Sequence, residues 1–288
     1  MTRSLRGVVL AGLAIALSGP AATADVSSQP PELIVGVDAD TAPMGRLNVG
    51  WTAPARVLRD DPVTGSAHRL DVPKGWTAPE TSVGVAMELY VLSGRLALET
   101  ATAGAGDLMH VPPGRAYGPL QAMADTSVLV FLAPRAADGP APDEDTAGGW
   151  RLVRGDDVAW VAGQVAREAG VDVPLTVKTL RQDPATGART FLVRVPPGVA
   201  VPWETHATDE EGYLIEGDFR LAECLPDGPV VLEYDAGGYF YRPAGLLHSG
   251  PRSTTTHGAI WLIRTPRTLD SVFHPACPSG SPYPERAD

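Results

Sequence analysis

Residues 198–217 read GVAVPWETHATDEEGYLIEG, and residues 237–248 read GGYFYRPAGLLH. Glu204, His206 and Glu210 fall at even-numbered positions of the first segment. In an extended strand residues i and i+2 share a face, so Glu204 and His206 point the same way. The second segment returns through a Pro243-x-Gly245 turn and offers His248. Two imidazoles with one or two carboxylates, drawn from separate strands, make a pocket suited to a divalent ion.

The two segments resemble the paired motifs of the cupin superfamily, G-x5-H-x-H-x3,4-E-x6-G and G-x5-P-x-G-x2-H. Gly198, His206, Glu210 and Gly217 keep the first spacing, and Gly237, Pro243, Gly245 and His248 keep the second. Glu204 departs from the pattern, being an acid where the family usually has an imidazole. The second motif is also similar to the metal-binding cupin half of certain anti-sigma factors, without a sign of their sigma-binding helical region. The resemblance implies one divalent ion held by His206, Glu210 and His248, with Glu204 as a fourth ligand. A role for Glu204 as an acid behind the ligands, or as a rim residue beside Trp203, stays open. Oxygen-rich ligation favours Mn or Fe(II) over Cu, and Zn stays open.

The module occurs twice. LRDDPVTG (58–65) matches LRQDPATG (180–187), and VPKG (72–75) matches VPPG (195–198). ELYVLSG (88–94) matches EGYLIEG (211–217), and GDLMHVPPG (106–114) matches GGYFYRPAG (237–245). A duplication in this order resembles a bicupin, so the expected fold class is all-β, with two tandem double-stranded β-helix (jelly-roll) domains. Projection places Thr81 at Glu204, Val83 at His206, Met87 at Glu210 and Tyr117 at His248. That set binds a divalent ion poorly, so the first module is expected to be metal-free. Glu211 competes with Glu210 by adjacency, but it matches Glu88 in the copy without ligands. A residue kept where the ligands are lost reads as structural. His68 and His110 fit no ligand spacing and read as surface or half-buried histidines.

Short apolar runs bounded by 31 Gly and 28 Pro argue for strands and dense turns. One short helix is expected over 162–170. Residues 1–24 carry Arg3 and Arg6, an apolar run from Gly7 to Leu17 and a small-residue cleavage site at Ala22-Thr-Ala24. They read as a signal peptide, with export to the periplasm or secretion, and no membrane anchor follows. The boundaries read as a degenerate cupin domain at 33–135, an Ala/Gly/Pro-rich linker at 136–149, a metal-binding cupin domain at 150–268 and a Pro-rich tail at 269–288. The formal net charge of −11 argues against nucleic acid as a partner. Cys224 and Cys277 are the only cysteines. In an oxidising compartment an even pair reads as a disulfide pinning the tail.

Trp203, Tyr239, Tyr241 and Trp261 are candidates for the pocket mouth, with plain barrel core as the competing reading. His257 reads as a turn residue within reach of the pocket, and His274 as incidental. Two functions remain from the sequence, beside a structural reading in which the metal of a degenerate pair only stabilises the fold. One is a metal-dependent enzyme of dioxygenase, isomerase, decarboxylase or lyase type acting on a small organic molecule. The other is a periplasmic metal or small-molecule binding or sensing protein without turnover. A homo-oligomer is left open.

Overall fold

The computed structural model describes residues 33–61, 63–99, 101–133, 149–163 and 173–278. The signal-peptide reading of 1–24, the linker before Gly149 and the tail beyond 278 lie outside the described residues. So does most of the expected helix at 162–170, whose first residue ends a short strand, Val161–Ala162. Among the described residues the chain is all strand apart from one 3-10 turn at Gly155–Asp157.

Each repeat is a curled antiparallel barrel. The first is built on a seven-stranded sheet with four-stranded and two-stranded partners, the second on an eleven-stranded sheet. The registers reproduce the duplication. Tyr117 pairs with Thr81 in the first barrel, as His248 pairs with Glu204 in the second. The glycine that closes the first motif is demanded by the backbone in both copies. Gly94 and Gly217 have φ of 82° and 88°, and a Cβ on either would collide with a backbone carbonyl oxygen, Asp125 O or Gly258 O.

The two barrels exchange their first strands. Ile34–Asp38, placed by sequence in the first module, pairs with Gly238–Arg242 of the second. Reciprocally, Arg151–Val153 pairs with Leu108–Val111 of the first. Val37 lies opposite Tyr239 as Val153 lies opposite Leu108, so the exchange follows the internal two-fold of the repeat. The far boundary also moves. Ser271–His274, read as part of a Pro-rich tail held by the disulfide, is a strand paired with Trp203–His206.

The central strands are buried on both faces, which is why they read as near-continuous apolar runs. In Met87–Ser93, Met87, Leu89 and Val91 enter the first barrel's core, while Tyr90 joins a cluster between the modules. In the second barrel Leu214, Phe240 and Trp261 face inward, while Tyr213, Tyr239, Tyr241 and Leu262 face the first module. His68 and His110 are both buried, rather than at the surface or half-buried as expected, because the doubled sheet covers the faces they point to.

Polar groups at this interface are matched across the duplication. Arg59 of the first module reaches Glu211 of the second at 3.1 Å, and Arg181, its repeat equivalent, reaches Glu88 at 3.5 Å. Arg264 bridges both carboxylates, lying 2.7 Å from Glu88 and bonded to Glu211. Thr190 donates to Glu88 and Tyr239 donates to Glu211. Burial alone would raise the Glu88 carboxyl, but Arg264 and Arg181 outweigh it and hold the group at about 2.

A depressed carboxyl contributes stability that is present above its unfolded value, near 4.5, and is lost as pH falls toward 2. Glu88→Gln should therefore lower stability at neutral pH by on the order of 3 kcal/mol. It should also flatten the acid limb of the stability profile between those two values. Urea denaturation at a series of pH values reads both effects, and an unchanged acid limb would contradict the assignment.

Candidate metal centre

Four donors converge in the second barrel. Glu204 and His206 lie on Trp203–His206, Glu210 opens Glu210–Leu225, and His248 opens the two-residue strand His248–Ser249. The His206 Nε2 is 4.0 Å from Glu204 Oε2 and 3.9 Å from Glu210 Oε2. The His248 Nε2 is 3.9 Å from Glu204 Oε1 and 3.6 Å from Glu210 Oε2. Glu204, His206 and His248 have the mutual spacing of a metal-holding group.

Both imidazoles are oriented by carbonyls. The His206 Nδ1 lies 3.3 Å from Asp270 O, and the His248 Nδ1 lies 2.9 Å from Leu246 O. A carbonyl can only accept, so each Nδ1 carries a proton and each Nε2 is left facing the carboxylates at the centre. Burial, then the charges of Arg242 and His206, push the His248 imidazolium well below its usual value. The ring is therefore neutral, as a ligand must be. Burial, with the Glu210 charge adding, raises Glu204. This donor set of two imidazoles and two carboxylates fits a divalent ion.

Glu210 differs from the other three. Its Oε2 accepts from Arg242 NH1 at 2.7 Å, and Arg242 Nε donates to Glu223 at 2.8 Å. Arg242 and Glu223 are buried, and burial raises Glu223 to about 7 against the pull of Arg242. Sequence reading missed both residues. The signal was parity: Arg242 shares a strand face with Phe240, and Glu223 shares one with Phe219 and Leu221, all of which point inward.

The donors sit in the wall of a cavity of about 540 Å³ inside the second barrel. Trp261 lines it, as expected. Tyr239 and Tyr241 do not, because strand alternation turns them to the module interface, where Tyr239 meets Arg59 and Tyr241 donates to Asp209. Trp203 is also turned away and packs with Ala222, Cys224 and Cys277. His257 is exposed and bonded to Asp218. His274 is bonded to Thr205 on the neighbouring strand.

In the first barrel the equivalent space is filled. Tyr117 is fully buried and donates to Val49 O at 2.7 Å, amid Trp51, Trp76 and Met87. Among the described residues no metal-holding group occurs there.

Cys224 and Cys277 form a disulfide with a Cα separation of 5.7 Å. It ties the segment after Ser271–His274 to the long central strand, behind the strand that carries Glu204 and His206. Cys277→Ser should lower stability by about 2–4 kcal/mol, the usual range for a bridge closing a loop of this order. Thermal melts with and without reductant check this, the variant losing the reductant sensitivity of the parent chain.

Residues 151–266 match the family described as the ChrR cupin-like domain. No curated protein matches the chain in sequence. Among solved structures, a candidate dioxygenase from Nostoc punctiforme superposes with a TM-score of 0.63 at 18% identity, covering 83% of this chain and 86% of that one. An oxalate decarboxylase from Lactobacillus farciminis, solved as a formate complex, gives 0.59 at 12%, with coverage of 86% and 91%. The oxalate decarboxylase of Bacillus subtilis, a protein described with Mn(II) centres, gives 0.55 at 16%, with coverage of 86% and 81%. At these identities the likeness is one of fold.

Proposed function

We propose that this member of the cupin superfamily is an exported metal-dependent enzyme acting on a small organic molecule in its second barrel. Glu204, His206 and His248 hold one divalent ion, with Glu210, shared with Arg242, as the fourth donor. Mn or Fe suits this oxygen-rich set, and Zn is the competitor. The observation that carries the reading is the placement of four convergent donors in the wall of a large cavity rather than in a closed core. A structural site is closed, whereas a catalytic one adjoins space for a ligand.

When bound, an ion here supplies Lewis-acid polarisation of a ligand oxygen. The chain's own residues do the rest. The Asp270 and Leu246 carbonyls fix the imidazole tautomers. Arg242 holds the Glu210 carboxylate in place. Glu223, raised to about 7 and with its Oε2 lacking a partner, can hold a proton beside Arg242 at neutral pH. The apolar wall excludes water from the reacting centre. The first barrel, its ligand positions filled by Tyr117 and Met87, acts as a packing partner.

Metal analysis of the purified chain should find one ion per chain. His248→Ala should lose it, while Tyr117→Phe should retain it, because that change sits in the filled barrel and removes one hydroxyl. Two ions per chain, or none after reconstitution with Mn, Fe and Zn, would sink the reading.

Glu204→His should shift preference from Mn toward Zn, and Glu204→Gln should weaken both, since an amide oxygen lacks the carboxylate's charge. Competitive titration of the two ions against the three proteins decides the point. Identical affinities throughout would place Glu204 outside the coordination shell.

A further inference from the structure

The cavity of the second barrel holds a cation that the metal centre does not use. Arg189 opens the strand Arg189–Val195 and lines the cavity wall. Its NH2 donates to Thr179 Oγ1 at 3.1 Å, and its guanidinium stacks 4.4 Å from the Phe191 ring centroid. The Nε is buried with no hydrogen-bond partner. Among the described residues Arg189 has no carboxylate partner, whereas Arg242 has two. Burial alone, without an opposing acid, lowers its affinity for a proton. A half-buried charge without an acid beside it carries part of the cost of desolvation, and a ligand anion would offset it.

Register fixes where this cation lies. Glu211, Arg264 and Thr190 form one row across three strands. Glu210 and Arg189 each immediately precede a member of that row, and their strands run the same way. Both therefore lie at the same end of the barrel and turn into the cavity, opposite to Glu211 and Thr190, which face the module interface. Two inter-strand spacings separate them, about 10 Å at the backbone. The anion end of a ligand at Arg189 would thus sit beside the metal centre. Beyond them the wall is apolar, formed by Val193, Val195, Phe219, Leu221, Phe240 and Trp261.

Arg242 is shared between Glu210 and Glu223, whereas Arg189 has no acid beside it among the described residues. We infer that the second barrel takes a hydrophobic monocarboxylate, its acid group read by Arg189 and its apolar body by the barrel interior. The inference rests on the reading of this cavity as the ligand site. It separates the chain from its structural neighbours, since a small dianion such as oxalate would leave most of a cavity of about 540 Å³ unfilled.

The test uses the full chain as purified, with metal content measured on every sample. The probes are 3-phenylpropionate and octanoate, the amides of both acids, and oxalate, with binding read by calorimetry and by intrinsic tryptophan fluorescence. The wild type should bind at least one of the two acids, at least about tenfold more tightly than its amide and more tightly than oxalate. Arg189→Gln should abolish the preference for acid over amide while keeping the metal content, and Arg189→Lys should restore part of it. Equal binding of acid and amide by the wild type, a preference that survives in Arg189→Gln, tightest binding of oxalate, or no binding of either acid would each overturn the inference. An acid preference in protein that carries no ion would leave it standing and overturn the metal reading instead. An ion with no acid preference would do the reverse.

Discussion

Glu210 and Glu211 are neighbours in one strand that is buried on both faces, and most of this structure follows from that. The pleat sends Glu210 into the barrel and Glu211 to the first module. Each buried carboxylate then needs a cation of its own. Arg242 serves the inner one, and Arg59 with Arg264 serves the outer one. Slipping the register by one residue would exchange the two faces and separate each of these carboxylates from its cation. The position of the candidate ligand is therefore locked to the module interface through the backbone of a single strand.

The same constraint explains what the first module contributes. It carries no imidazole or carboxylate at the four equivalent positions, and its interior is packed with Tyr117, Met87 and two tryptophans whose rings meet edge to face at 5.3 Å. It has kept Arg59 and Glu88, the residues that cross the interface. A duplicated barrel can lose its site with little cost because bulky side chains refill the space. It cannot lose the interface without stranding Glu211 and Arg264 of the other copy. The reciprocal strand exchange adds backbone hydrogen bonds to this dependence.

Much of this was legible in the sequence. The motif spacings placed Glu204, His206, Glu210 and His248 together, and the repeat placed Tyr117 at the position equivalent to His248. The misreadings share a cause. Tyr239 and Tyr241 looked like pocket aromatics, and Arg242 was passed over, because parity in a strand buried on both sides cannot be set by hydrophobicity. Anchoring parity on Glu210, opposite Arg242 in the register, would have turned Arg242 inward and both tyrosines outward. The strand exchange left no local signal, since Ile34–Asp38 reads alike whichever sheet it joins. Ser271–His274 was hidden by the prolines and glycines that follow it.

That last segment matters beyond topology. The Asp270 carbonyl and the Ser271 hydroxyl are the groups within reach of the His206 Nδ1. The ring that offers its Nε2 to the centre is thus oriented by the end of the chain, not by the barrel that carries it. Ser271–His274 is only four residues long and pairs with a strand equally short. Ladders of that length are weak on their own. The disulfide supplies the missing constraint three residues further on, anchoring Cys277 to Cys224 in the central strand. The bridge persists only in an oxidising compartment. The compartment in which the chain matures therefore bears on the geometry of His206 as well as on stability.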